Sequence, residues 1–118
     1  MIEEVECSDT NTLYQIDKDR VIVGGWDTFS IVNIDKCAIE KKIIDKSLVN
    51  VCCFLKLKDN KTILCGCEDG TFCSYDMNTE EYKKTTNYHK KYISALLMID
   101  DNTFLSCSWD MTIKVWKY

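Results

Sequence analysis

Short apolar runs alternate along this chain with clusters of Asp, Asn, Lys and Ser. The run Ile93-Ser-Ala-Leu-Leu-Met-Ile99 is the clearest, with one small hydroxyl as its only polar side chain. Nowhere do the apolar positions sustain a 3.6-residue period, so the pattern predicts strands and argues against an α/β domain. Four kinds of strand recur. Apolar strands are expected over 11–16, 48–57 and 92–99, strands of small residues over 20–26, 62–68 and 103–109, and a third set over 28–34, 71–77 and 112–117. A fourth, rich in Lys and Glu, is expected over 38–44 and 80–86, and the chain offers no third copy of it. Its charges (Glu40-Lys41-Lys42, Glu80-Glu81 and Lys83-Lys84) suit an outer edge, where they discourage pairing with other chains.

These strands belong to a repeat. Val21-Ile-Val-Gly-Gly-Trp-Asp27, Ile63-Leu-Cys-Gly-Cys-Glu-Asp69 and Phe104-Leu-Ser-Cys-Ser-Trp-Asp110 line up, and their Asp anchors lie 42 and 41 residues apart. A period of about 40–45 residues with four short strands per unit is the signature of a propeller blade. The inner strands of a blade are covered on both faces by its neighbours, which accounts for their nearly continuous apolar character. The fold class expected is all-β: a partial β-propeller of about three four-stranded antiparallel blades. The units fall over about 10–45, 46–87 and 88–118, with residues 1–8 a candidate closing strand.

The third unit, Leu105-Ser-Cys-Ser-Trp-Asp-Met-Thr-Ile-Lys-Val-Trp116, resembles a WD-repeat blade almost position for position. The resemblance implies a hydrogen-bond relay through His89, Ser106, Asp110 and Trp116, in which Asp accepts from His, His pairs with Ser and Ser accepts the indole N–H. Each buried polar group would then be satisfied. The second unit keeps Asp69 but carries Cys65 for the Ser and Tyr75 for the Trp, with Asp45-Lys46 where the His should stand. The first keeps only Asp27, has Val23 and Val32 at the other places, and lacks one residue after the turn. The resemblance covers about residues 10–118 and implies a structural relay rather than an activity.

Composition narrows the function. Of 118 residues, 46% are hydrophobic and 29% charged, which suits a folded domain. The longest apolar runs are far short of the ~18–20 residues of a membrane span, so no membrane partner is expected. The N-terminal MIEEVECSD carries acid where a targeting peptide would carry base. A net charge of −4 without a basic stripe argues against nucleic acid. Pro is absent and Gly occurs four times, so Asn and Asp are expected at the bends. The eight cysteines sit mostly inside apolar segments, as small hydrophobes would, which points to a reducing, cytoplasmic setting.

Three candidate chemistries stand beside plainer readings. His89, the sole histidine, has no nucleophile or carboxylate pair around it in the sequence and already has a structural place. Cys65, Cys67, Cys73, Cys52 and Cys53 suggest a metal or redox cluster, but a C-x-C pair on one strand is an awkward zinc knuckle. Cys65 and Cys67 also align with Ser106 and Ser108, where small residues pack. Trp26, Glu68 and Trp109 each precede a turn Asp, a position that the resemblance places on one rim of the disc. Each Trp either meets a partner there or folds onto neighbouring loops. Lys46, Leu48, Lys90 and Tyr92, before the apolar strands, join the same expected rim.

The function expected is a non-enzymatic WD-repeat scaffold or platform for other proteins, with no catalytic, cofactor or metal residues. The alternative is a cysteine-based metal-binding or redox protein on a propeller scaffold. Three units are too few for a disc of about 4–8 blades. Two explanations stand open: a homodimer closing six blades through Ile2-Glu-Glu-Val5, or a piece of a larger propeller.

Overall fold

The computed structural model describes residues 2–7 and 10–117, excepting the side chains of 85–87. Among them are eleven strands and no helix: β1 Thr10–Gln15, β2 Arg20–Gly25, β3 Thr28–Asn33, β4 Ala38–Ile44, β5 Val51–Lys56, β6 Thr62–Cys67, β7 Thr71–Asp76, β8 Tyr82–Asn87, β9 Ile93–Asp100, β10 Thr103–Ser108 and β11 Ile113–Lys117. They form three antiparallel meanders: β1-β2-β3-β4 (blade 1), β5-β6-β7-β8 (blade 2) and β9-β10-β11 (blade 3). The expected all-β partial propeller is what the chain forms.

Register repeats from blade to blade. Leu13 lies opposite Val23, Phe54 opposite Cys65 and Leu96 opposite Ser106. The core lies between blades 1 and 2, where Ile22, Phe29, Ile31, Leu48, Val51, Phe54, Cys65 and Tyr75 pack together. Phe29 is its hub, edge-on to Phe54, Tyr75 and Tyr82. Between blades 2 and 3 the hub is Phe72, against Tyr88, His89 and Trp116.

Within the single chain residues 2–7 join no sheet, and among the described residues nothing fills the fourth place of blade 3; Met1 and Ser8 lie outside the described residues. One expectation needs correcting. The apolar run of β9 is not covered on both sides: Ile93 is buried, but Leu97 and Ile99 are exposed, because among the described residues no fourth blade packs on it.

Bends without proline rest largely on Asp. Asp17 accepts the backbone N–H groups of Asp19 and Arg20, and Asp59 those of Lys61 and Thr62, at the same β-turn of successive blades. Left-handed backbone falls on Asp27, Asn50 and Asn60 as the composition implies, but also on Cys37, Glu80 and Met111. At Gly70 (φ 87°) glycine is required, since a Cβ would lie 1.9 Å from the His89 carbonyl oxygen. That carbonyl belongs to the residue whose N–H bonds back to the Gly70 carbonyl, so the turn and the entry to blade 3 are locked together.

Candidate functional site

The turns between the second and third strands of each blade lie at one rim, next to the connections that enter the first strands. There the backbone ties the two together: Asp27 N–H donates to the Leu48 carbonyl, Glu68 N–H to that of Asn50, and Trp109 N–H to that of Tyr92.

Beneath the blade 3 turn the four relay side chains stand in hydrogen-bond sequence. His89 Nδ1 is 2.8 Å from Asp110 Oδ2, His89 Nε2 is 2.7 Å from Ser106 Oγ, and Trp116 Nε1 donates to Ser106 Oγ at 2.8 Å. A carboxylate only accepts, so Nδ1 carries the proton shared with Asp110. Nε2 then accepts from the Ser106 hydroxyl, which in turn accepts the indole N–H. Asp110 is further held by the Thr112 side chain and the Lys90 and Thr112 backbone N–H groups. The Thr112 hydroxyl is the largest influence holding its carboxyl well below the usual carboxylate range, ahead of His89. His89 and Ser106 are buried. Every polar atom of the relay is committed to another, which is the geometry of a brace rather than of acid–base chemistry.

In blade 2, Cys65 and Tyr75 fill the Ser and Trp places within the core. Asp45 holds the place of His89, since its N–H donates to the Asp27 carbonyl as that of His89 does to Gly70. Its side chain turns the other way and accepts from Tyr82 Oη at 2.6 Å. That bond and those from Ser47 lower its pKa to about 2. Asp45–Tyr82 joins blade 1 to blade 2, a link for which the sequence carried no motif.

The rim residues have unequal fates. Trp109 is 66% exposed and stacks on Tyr92, with ring centroids 4.6 Å apart and planes 15° from parallel. Trp26 is 50% exposed, and Lys46 and Lys90 are exposed. Glu68 is half-buried and its Oε2 has no hydrogen-bond partner. Leu48 must be taken off the rim. It is fully buried, because it faces the core between blades 1 and 2, and the place of Tyr92 falls in blade 2 to Asn50, whose carbonyl accepts from Glu68 as that of Tyr92 does from Trp109.

All eight cysteines are free thiols. Cys65, Cys67 and Cys73 are buried. Burial pushes the Cys52 thiol up to about 11, the Cys53 thiol up to about 12, and that of Cys65 well above its ordinary value. A hydrogen bond with Cys73, together with burial, raises Cys67 as well. Metal binding and thiol chemistry both need the thiolate, which these surroundings disfavour. Among the described residues no three His, Cys, Asp or Glu side chains converge on a metal position.

Comparison with known proteins agrees with the geometry. Residues 80–117 match the family described as WD domain, G-beta repeat. The spindle assembly checkpoint protein bub3 of Schizosaccharomyces pombe is 31% identical over 84% of this chain, and the WD repeat-containing protein 55 homolog of Dictyostelium discoideum 30% identical over 83%. The chain spans 31% and 24% of the length of those two relatives. The crystal structure of the RRP9 WD40 repeats superposes with a TM-score of 0.81 at 16% identity, over 97% of this chain and 37% of that one. With the 41–42-residue repeat, the relay of blade 3 and these likenesses together, the chain belongs to the WD-repeat β-propeller family.

Proposed function

We propose that this chain is a non-enzymatic platform that binds other proteins, rather than nucleic acid or membrane, through the rim carrying Trp109. The observation that carries the reading is the Trp109–Tyr92 stack. A large aromatic side chain two-thirds in water, already held in one orientation by its neighbour, has little conformational freedom to lose on binding. Trp26 extends the apolar part of the rim, while Lys46 and Lys90 supply charge at its margin. Eight free thiols, three of them buried, support a reducing, cytoplasmic setting. No observation favours cysteine-based metal or redox chemistry.

The test compares proteins captured by the immobilised wild-type chain, Trp109→Ala, and Lys58→Ala at the opposite rim. Loss of one central aromatic at an interface costs about 2 kcal/mol or more, roughly a 30-fold fall in affinity. Trp109→Ala should lose its partners at an unchanged melting temperature, and Lys58→Ala should keep them. Equal capture by all three forms would contradict the assignment of this rim.

A further inference from the structure

The two ends of the blade stack are open, and register fixes what each end lacks. In blade 1, Gly24 and Phe29 turn toward blade 2, where a Cβ on Gly24 would lie 2.7 Å from the Phe54 ring. In blade 2 the corresponding Gly66 and Phe72 turn toward blade 3, against Ile93 and Trp116. The corresponding residues of blade 3 are Cys107 and Ile113. Among the described residues nothing covers that face: Ile113 is 69% exposed, and Leu97 and Val115 are 59% exposed. At the far end Leu13, the counterpart of Phe54, is 69% exposed. One end shows the face a following blade would cover, and the other shows the face that does the covering.

The fourth strand points the same way. Between blades 1 and 2, β4 passes the β7–β8 turn with Lys41 3.5 Å from Glu80, and the Ser47 carbonyl then accepts from Lys84 Nζ. Ahead of blade 1, residues 2–7 follow the corresponding path without joining a ladder. The Glu4 carbonyl lies 3.7 Å from Cys37 Sγ at the β3–β4 turn, and Val5, Glu6 and Cys7 lie beside Lys42, the register counterpart of Lys84. A segment thus runs where the outer strand of a preceding blade would run, while among the described residues no outer strand pairs with β11. The charges match: residues 2–7 carry three Glu, and β11 carries two Lys and no acid.

We propose that blade 3 receives blade 1 of a second copy of this chain, and that residues 2–7 of that copy add to β11 as its fourth strand. Two chains then close head to tail into a ring of six blades. A heterologous contact that closes after two steps leaves no open face, and six blades lie within the about 4–8 of known propellers. The five exposed aliphatic side chains at the two ends (Leu13, Leu97, Ile99, Ile113 and Val115) leave on the order of 100 Å² each. Covered in both copies, they supply roughly 1,000 Å², to which backbone and the added strands bring the rest of a specific interface. The closure uses neither Trp109 nor Tyr92, so it stands or falls apart from the rim.

The experiment is light scattering of the 118-residue chain across a micromolar concentration series, with circular dichroism as the check on folding. The wild type should have twice the 13.7 kDa chain mass. Leu97→Lys at one end, Leu13→Lys at the other, and deletion of residues 2–7 should each weaken association about 100-fold or more while the β-sheet spectrum remains. A wild-type monomer at tens of micromolar overturns the proposal. So does a mass that climbs steadily with concentration, which would mean open filaments. A dimer indifferent to Leu13→Lys and to the deletion overturns it too, since the chains would then meet blade 3 to blade 3.

Discussion

Removing the imidazole at the centre of the relay is the most direct test of how blade 3 is held. His89→Ala deletes a buried side chain and strands the Ser106 hydroxyl, fully buried, without its acceptor. An unsatisfied buried donor costs about 1–3 kcal/mol. The deleted ring also leaves a void beside Phe72, whose ring centroid lies 6.4 Å away, and large-to-small truncations in a core cost about 2 kcal/mol at the low end. Together these give about 3–5 kcal/mol, against a total stability of roughly 6–18 kcal/mol for a chain of this length. At about 4 °C per kcal/mol the melting temperature should fall by roughly 12–20 °C. Protein concentration must be held fixed, since any assembly contributes to apparent stability.

A double-mutant cycle separates the hydrogen bonds from the void. Trp116→Phe removes the indole N–H but keeps a ring against Phe72, Phe104 and Tyr88. Ser106→Ala removes the shared oxygen. Residues joined in one network should couple by about 0.5–3 kcal/mol. A His89→Ala melting temperature within about 2 °C of wild type, or a Ser106–Trp116 coupling of zero, would refute the reasoning.

Two further outcomes are expected. Cys65, Cys67 and Cys73, all buried, should react with a thiol reagent only as fast as the chain opens, well behind the partly exposed Cys7 and Cys37, and a chelator should leave the melting curve in place; rapid labelling of all eight sinks this account. Asp45, lowered from 3.8 to about 2 in the folded chain, contributes stability that is present above about pH 4 and is lost as pH falls through 2. Tyr82→Phe should move the Asp45 carboxyl midpoint up toward 3.8, measured by NMR titration, and a wild-type midpoint already near 3.8 would contradict the Tyr82 hydrogen bond.

The strands were legible because each blade repeats one arrangement of apolar runs and Asp turns. Every observed strand lies within about three residues of its expected bounds, and the greatest offset is at β5, which begins at Val51 because Leu48 to Asn50 form the connection instead. The relay could be placed only through the resemblance of the third unit to a WD-repeat blade. What the sequence hid was orientation and long-range pairing. Leu48 and Tyr92 both stand just before an apolar strand, yet one is core and the other lies under a tryptophan, because the connection into β5 is longer and gives the place of Tyr92 to Asn50. Asp45 and Tyr82 are 37 residues apart and lie in no motif, so only the packing of blade 1 on blade 2 brings them together.

The contrast between blades 2 and 3 explains why the polar relay survives in one and not the other. In both, the relay face lies inward against the preceding blade: Tyr75 meets Phe29, and Trp116 meets Phe72. Blade 2 is also covered on its other face, so apolar contact from two sides fixes its strands and Cys65 and Tyr75 suffice. Blade 3 within one chain has no such second cover, and burial on one face alone does not set the angle between strands, because apolar contact is non-directional. A chain of directional bonds does set it. His89 ties the entry of the blade to Asp110 at the turn and to Ser106 in β10, and Ser106 ties β10 to Trp116 in β11. The same logic accounts for the link outside blade 2, where Asp45–Tyr82 secures the connection whose counterpart in blade 3 is secured from within. The relay therefore does its work at the blade whose open face and open edge must stay in register for anything that docks there, and weakening it should loosen blade 3 before it loosens blades 1 and 2.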